Sequence, residues 1–126
     1  MRALYKSALL VGGLLLGSMV WAQKTQLLVY TALEVDQLKA YQEGFNKVHP
    51  EIDIKWVRDS TGVITAKLLA EKSNPQADAV MGVAATSLAL MKKNGMLEPF
   101  APLNLDAIMP QYRDKANPPA WWGMNV

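Results

Sequence analysis

Three short segments of this sequence contain small residues, hydroxyl side chains or glycine, as a site for a small anion requires. These segments are residues 30–34, 59–63 and 82–87. Small residues let main-chain N–H groups come close to a ligand, and hydroxyls add further hydrogen bonds. The strongest signal is Ser60, Thr61 and Gly62, because a helix N-terminus carries free N–H donors and a partial positive charge. This run predicts an anion site that needs no cation.

The same residues also have ordinary structural uses. Ser60 or Thr61 can be a simple N-cap, with Gly62 as a turn residue, because Ser and Thr are preferred at that position. Glu34 can neutralise a ligand ammonium group, or it can complement the dipole of the next helix. A single loop favours the structural interpretation, whereas three such loops at one end of a sheet make a ligand site an equal alternative.

The sequence offers little for catalysis or for a metal ion. It has no cysteine and a single histidine, His49, with no second ligand nearby at a useful spacing. A serine hydrolase needs a nucleophile, a base and an orienting group, and the segment after Gly82 lacks the further glycines of a dinucleotide-binding fingerprint. We therefore expect a protein that is not an enzyme and that holds neither a metal ion nor a cofactor.

The charge balance argues against nucleic acid and anionic lipid as partners. The chain has 13 Lys and Arg against 11 Asp and Glu, a formal net charge of +2. Two of the basic residues lie within the first 22 positions, so the remainder is balanced. A nucleic-acid-binding domain is expected to carry a basic patch or stripe, and binding to anionic lipid needs a polybasic cluster.

Residues 1–22 have the pattern of a signal peptide. Arg2 and Lys6 precede an uncharged apolar run over residues 8–20, and small residues ending at Ala22 supply the cleavage site. We predict cleavage after Ala22 and export to the periplasm. A retained N-terminal anchor is the alternative, although the run is shorter than the roughly 20 residues that cross a bilayer.

The rest of the chain, residues 23–126, alternates strand and helix patterns. Apolar and alternating runs predict strands over 27–30, 52–56 and 79–81, and the helical period predicts helices over 35–48, 63–72 and 86–93. The first helix is expected to bury one apolar stripe made of Val35, Leu38, Tyr41, Phe45 and Val48. Three repeats of strand then helix predict an α/β fold, with a mainly parallel sheet flanked by helices.

These loops resemble those of the periplasmic solute-binding proteins of ABC transporters, in the type II cluster that includes binders of 2-aminoethylphosphonate and of ferric iron. Leu-Val-Tyr-Thr-Ala-Leu-Glu at 28–34 is similar to the first ligand loop of that cluster. Asp-Ser-Thr-Gly at 59–62 is similar to the second, and Met-Gly-Val-Ala-Ala-Thr at 81–86 to the third. The resemblance implies that residues 23–126 are part of the N-terminal lobe of a type II periplasmic-binding-protein fold, truncated before the second lobe.

The resemblance also implies a function. The protein would be the substrate-binding component of an ABC importer, a monomer when complete, that captures a small anionic or zwitterionic ligand and delivers it to a membrane permease. The loops most resemble the 2-aminoethylphosphonate branch; a ferric-iron receptor of the same fold and an exported phosphate-ester enzyme are the alternatives. We expect Ser60 and Thr61 to hold the phosphonate and Glu34 the amine. The full set of expected contacts is Thr31, Ala32, Glu34, Ser60, Thr61, Gly62 and Ala85.

Overall fold

The computed structural model describes residues 23–123. The described part alternates strands and helices in the predicted order: β1 Thr25–Thr31, α1 Val35–Val48, β2 Ile52–Arg58, α2 Thr61–Ala70, β3 Ala79–Met81 and α3 Ala85–Lys93. The segment after α3 is irregular apart from two 3-10 turns, Leu105–Ala107 and Pro110–Tyr112. The predicted signal peptide and its cleavage site lie outside the described residues.

The described strands form one parallel sheet in the order β2-β1-β3. Thr31 at the end of β1 lies opposite Arg58 on one side and Met81 on the other. The prediction of an α/β fold with a parallel sheet is therefore confirmed. Because all three strands run the same way, their carboxyl ends meet at one edge, and the loops that enter α1, α2 and α3 start from that edge.

The core lies between β1 and the helix pair α2 and α3. Its buried members are Tyr30, Ile64, Leu68, Val83, Leu88 and Met91. Ile64 and Leu68 are one helical turn apart, so they share the face of α2 that meets the sheet. Burying a side chain of this size contributes about 1.5–3 kcal/mol, which is enough to fix the orientation of α2 against β1.

Tyr30 connects this core to the far end of α2. The residue is buried, but its hydroxyl donates to Glu71 at 2.9 Å from Oε2. Lys67 pairs with the same carboxylate at 2.6 Å and lies 5.3 Å above the tyrosine ring. Burial, and then the neighbouring Glu71, raise the pKa of Tyr30, so the phenol keeps its proton and remains a donor at neutral pH.

Helix α1 covers the other face of the sheet less completely than the sequence predicts. Of the expected stripe only Leu38 is buried, while Val35, Tyr41 and Val48 are 69%, 54% and 72% exposed. The period of a sequence shows which residues share a face, but not how much of that face meets a partner. Here the partner is the edge strand β2, so only the middle of the stripe is covered within the described part of the chain.

Helix α2 begins earlier and ends earlier than predicted. The apolar pattern places it over residues 63–72, whereas it runs over Thr61–Ala70. Ser60 is its N-cap residue, so the two residues after Ser60 already belong to the first turn. The helix ends where the N–H of Glu71 bonds to the carbonyls of Lys67 and Leu68.

A buried carboxylate holds the segment after α3 against that helix. The Asp114 side chain is 8% exposed and contacts Lys92 Nζ at 2.6 Å. Its second oxygen accepts the N–H of Ala120 at 2.9 Å. Both groups favour the ionised form, and Lys92, followed by Ala120, lowers the pKa of Asp114.

Replacing this carboxylate should destabilise the protein in a pH-dependent way. We expect Asp114→Asn to lower the free energy of unfolding by about 1–2 kcal/mol at pH 7, because a charged hydrogen-bonding partner is lost. The pKa of Asp114 is lower in the folded state, so its contribution is complete above the unfolded pKa of about 3.9 and is lost as the pH falls through the folded value. Urea unfolding at pH 7 and pH 3 measures both effects.

The variant Asp106→Asn is the control, because the Asp106 side chain is fully exposed. It should change the free energy of unfolding by less than about 0.5 kcal/mol. The wild type and Asp114→Asn should differ less in their free energy of unfolding at pH 3 than at pH 7. An equal difference at the two pH values would contradict the proposed role of the Asp114 carboxylate.

A candidate ligand site at the carboxyl edge of the sheet

Three loops meet at the carboxyl edge, and we call them the edge loops: residues 32–34, 59–60 and 82–84. Main-chain hydrogen bonds tie them together beyond the ends of the strands. The N–H of Asp59 donates to Thr31 O at 3.1 Å, and the N–H of Ala32 donates to Met81 O at 3.4 Å. The first loop therefore lies between the other two, as β1 lies between β2 and β3.

The second edge loop leads into α2 and leaves its first N–H groups available. Among the described residues, no protein group accepts a hydrogen bond from the main-chain N–H of Thr61 or Gly62. The hydroxyl of exposed Ser60 accepts only from Val63 N, at a long 3.4 Å, so its proton is free to be donated. A Cβ added at Gly62 would meet nothing within 4 Å, so the space beside this first turn is open.

The third edge loop leads into α3, whose start is uncapped. Ala84 occupies the N-cap position and has no side-chain acceptor. In the described part of the chain, the N–H groups of Ala85 and Thr86 have no protein acceptor either. Alanine at this position costs about 1 kcal/mol relative to Ser, Asp or Asn, so these donors are left for water or for a ligand.

A buried hydrogen bond places the two helix starts side by side. Thr65 Oγ1 lies 2.7 Å from Ser87 Oγ and 2.6 Å from the main-chain oxygen of Thr61. Thr65 belongs to the second turn of α2 and Ser87 to the first turn of α3, and both side chains are buried. The N-termini of α2 and α3 therefore open onto the same part of the edge, each with a partial positive charge.

The first edge loop is engaged with the protein itself. Thr31 has no exposed surface, and its hydroxyl accepts from Leu33 N at 3.1 Å. Glu34 starts α1 as its N-cap residue and pairs with Arg58, whose Nε also donates to Leu33 O at 2.7 Å. The sequence predicts Thr31 and Glu34 as ligand contacts. In the structure, the hydroxyl of Thr31 is used within the loop, and the carboxylate of Glu34 is already paired with the guanidinium of Arg58.

The structure thus brings four of the expected contacts together, namely Ser60, Thr61, Gly62 and Ala85. Ala32 is half-buried, and its N–H is already used by Met81. Sequence reasoning missed Arg58, the last residue of β2. Its position directly before the second loop is a signal that could have found it, because the end of a parallel strand faces the ligand edge.

The edge is an open surface rather than an enclosed cavity. Two depressions in the described part lie elsewhere: one of about 400 Å³ beside Asp106 and Lys115, and an apolar one of about 360 Å³ between α1 and β2. Within residues 23–123 no group of three or more His, Cys, Asp or Glu is arranged to hold a metal ion. No helix in that range has both the length and the apolar character needed to cross a membrane.

Comparison with known proteins gives the family. The family model for bacterial extracellular solute-binding proteins matches residues 31–125. The chain belongs to this family. A probable ABC transporter periplasmic-binding protein of Sinorhizobium fredii, y4fP, is 40% identical over 62 residues, which is 49% of this chain and 17% of that protein.

Solved structures of periplasmic binding proteins have the same fold as this solute-binding protein. The periplasmic binding protein AfuA of Actinobacillus pleuropneumoniae, with fructose-6-phosphate bound, has a TM-score of 0.66 and 29% identity over 74% of this chain and 29% of its own. Iron-bound HitA of Pseudomonas aeruginosa also has a TM-score of 0.66, at 18% identity over 72% of this chain and 29% of its own. The prediction of a type II periplasmic-binding-protein fold is confirmed. The chain spans less than a third of the length of these relatives.

Proposed function

We propose that this protein is the solute-binding component of an ABC importer and that its edge loops hold a phosphonate or phosphate group, with 2-aminoethylphosphonate as the expected ligand. The observation that carries the proposal is the pair of adjacent helix starts, where the N–H groups of Thr61, Gly62, Ala85 and Thr86 have no acceptor among the described residues. The protein would act in the periplasm as a monomer and deliver its ligand to a membrane permease. Residues 1–22 would be the signal peptide and residues 23–126 part of one lobe.

The chemistry of the site matches an anionic group with several oxygen acceptors. A phosphonate offers three oxygens, so the N–H groups of the two helix starts would donate to different oxygens of one group. Hydrogen bonds to an ionised acceptor are roughly twice as strong as neutral ones, and the helix dipoles favour negative charge at this position. The hydroxyl of Ser60 adds a donor, so the anion can be held without a bound cation.

The relative AfuA supports a ligand that carries a phosphoryl group, because its structure contains fructose-6-phosphate. A sugar phosphate and an aminophosphonate share a tetrahedral phosphorus with anionic oxygens, which is the part that helix starts recognise. They differ in the remainder of the molecule. The ammonium group of 2-aminoethylphosphonate would compete with Arg58 for Glu34, so we expect other residues to contribute to recognition of the amine.

Removing the hydroxyls of Ser60 and Thr61, at the start of α2, tests the proposal. We expect Ser60→Gly combined with Thr61→Val to weaken binding of 2-aminoethylphosphonate by about 100-fold or more, because each of the two lost hydrogen bonds to an anion contributes about 1.5–3 kcal/mol. Glycine is chosen at residue 60 because it is tolerated as an N-cap within a few tenths of a kcal/mol. Isothermal titration of the protein as the cell produces it measures the affinity.

The control applies the same chemical changes away from the edge, with Ser73→Gly and Thr25→Val. Both residues are exposed, and Thr25 lies at the opposite end of β1. We expect this double variant to bind like the wild type. Unchanged affinity after the changes at Ser60 and Thr61, or binding of ferric citrate with no binding of 2-aminoethylphosphonate, would overturn the proposed site.

A further inference from the structure

Leu33 contacts both of the neighbouring edge loops. Its carbonyl accepts Nε of Arg58 at 2.7 Å, which ties it to the end of β2. Its side chain packs directly over Gly82, since a Cβ added there would lie 2.2 Å from Leu33 Cγ. Its own N–H is held by the hydroxyl of Thr31. One residue therefore sets the distance of the first loop from the second and from the third.

We propose that Arg58 is a positioning residue for the ligand site. Its guanidinium holds the Leu33 carbonyl and the Glu34 carboxylate together, and through them it fixes the first edge loop against the starts of α2 and α3. The effect on ligand rests on the proposed function, whereas the clamp itself is a property of the unliganded protein. Arg58 is not required to touch the ligand.

The geometry requires an arginine and not merely a positively charged side chain. Two nitrogens of one rigid plane, Nε and Nη2, serve two acceptors that are consecutive along the chain. A lysine would bring a single ammonium on a flexible stem and could not hold both acceptors in a fixed relation. The Arg58 side chain is 36% exposed and that of Glu34 is 71% exposed.

Exposed ion pairs contribute little to stability. The clamp is therefore expected to affect the position of the loop much more than the stability of the fold. A positioning role and a merely structural role can therefore be distinguished. If the role of Arg58 were structural, its loss would change the thermal midpoint as well as the position of the loop.

The test uses Arg58→Gln and Arg58→Lys in the protein as the cell produces it. Hydrogen exchange by NMR, without ligand, follows the N–H groups of Leu33 and Asp59, which bond to Thr31. We expect Arg58→Gln to speed both by about tenfold or more, to weaken 2-aminoethylphosphonate binding by about tenfold, and to leave the thermal midpoint within about 2 °C. Arg58→Lys should restore neither the slow exchange nor the affinity.

Arg113→Gln is the matched control. Arg113 also donates to a main-chain carbonyl and to a carboxylate, Leu105 O at 3.0 Å and Asp106 at 3.4 Å, but away from the edge loops. It should leave exchange at residues 33 and 59 unchanged. Unchanged exchange in Arg58→Gln, or full rescue by Arg58→Lys, would overturn the proposal. If the wild type binds no phosphorus compound, the proposed function fails, and the exchange measurement still decides the role of Arg58.

Discussion

Gly82→Ala should lower the free energy of unfolding by about 2–5 kcal/mol. Gly82 has φ of +69°, a conformation that costs an alanine about 1–2 kcal/mol. The added Cβ would also lie 2.2 Å from Cγ and 2.5 Å from Cδ2 of Leu33, and forcing a side chain out of a packed site costs about 1–3 kcal/mol more. Urea unfolding measures the loss, and NMR shifts of residues 32–34 report the displaced loop.

Gly95→Ala separates the two costs. Gly95 has nearly the same backbone conformation, with φ of +66°, but a Cβ there would meet nothing within 4 Å. It should therefore show only the backbone cost of about 1–2 kcal/mol. Equal losses in the two variants would mean that Leu33 moves aside freely, and the coupling of the edge loops through Leu33 would then be wrong.

Ile64→Ala should be equally damaging, with a loss of about 3–4 kcal/mol. Ile64 has no exposed surface and packs in the core with Tyr30 and Leu68. Truncation removes buried methyl groups and leaves a cavity at the point where α2 meets β1. Chemical unfolding monitored by circular dichroism gives the change directly.

The neighbouring Val63 provides the matched control for α2. It is 50% exposed, and alanine has the higher helix propensity, so Val63→Ala should stay within about 0.5 kcal/mol of the wild type. Similar losses of stability in the two variants would contradict the orientation of α2, in which Ile64 faces the core and Val63 does not. The contact of Thr65 with Ser87, on which the pairing of the two helix starts depends, would then be in doubt.

The sequence was sufficient for the order of elements and for the prediction that three loops meet at one edge of the sheet. Alternating Ile52, Ile54 and Trp56 predict β2, and Ser60 before an apolar run predicts the start of a helix, because both signals act over a few residues. The rule that ligands meet the carboxyl ends of parallel strands then brings the three loops together. These steps need no knowledge of long-range contacts.

Contacts between distant parts of the chain could not be predicted from the sequence. Arg58 and Leu33 are 25 residues apart, and no local pattern indicates that a guanidinium at the end of β2 will meet the carbonyl of the first loop. The burial of Thr31 and the exposure of Val35 and Val48 likewise depend on what packs against them. The ligand is the hardest inference, because main-chain N–H groups at helix starts serve many anions alike.

The most direct test of the account is an NMR titration of the protein, labelled with ¹⁵N, with 2-aminoethylphosphonate. We expect the main-chain N–H signals of Thr61, Gly62, Ala85 and Thr86 to shift together and to saturate at one ligand per protein, because these donors at the two helix starts have no acceptor within residues 23–123. Shifts confined to other surfaces, such as the depression beside Asp106 and Lys115, or no shifts at saturating ligand, would contradict it.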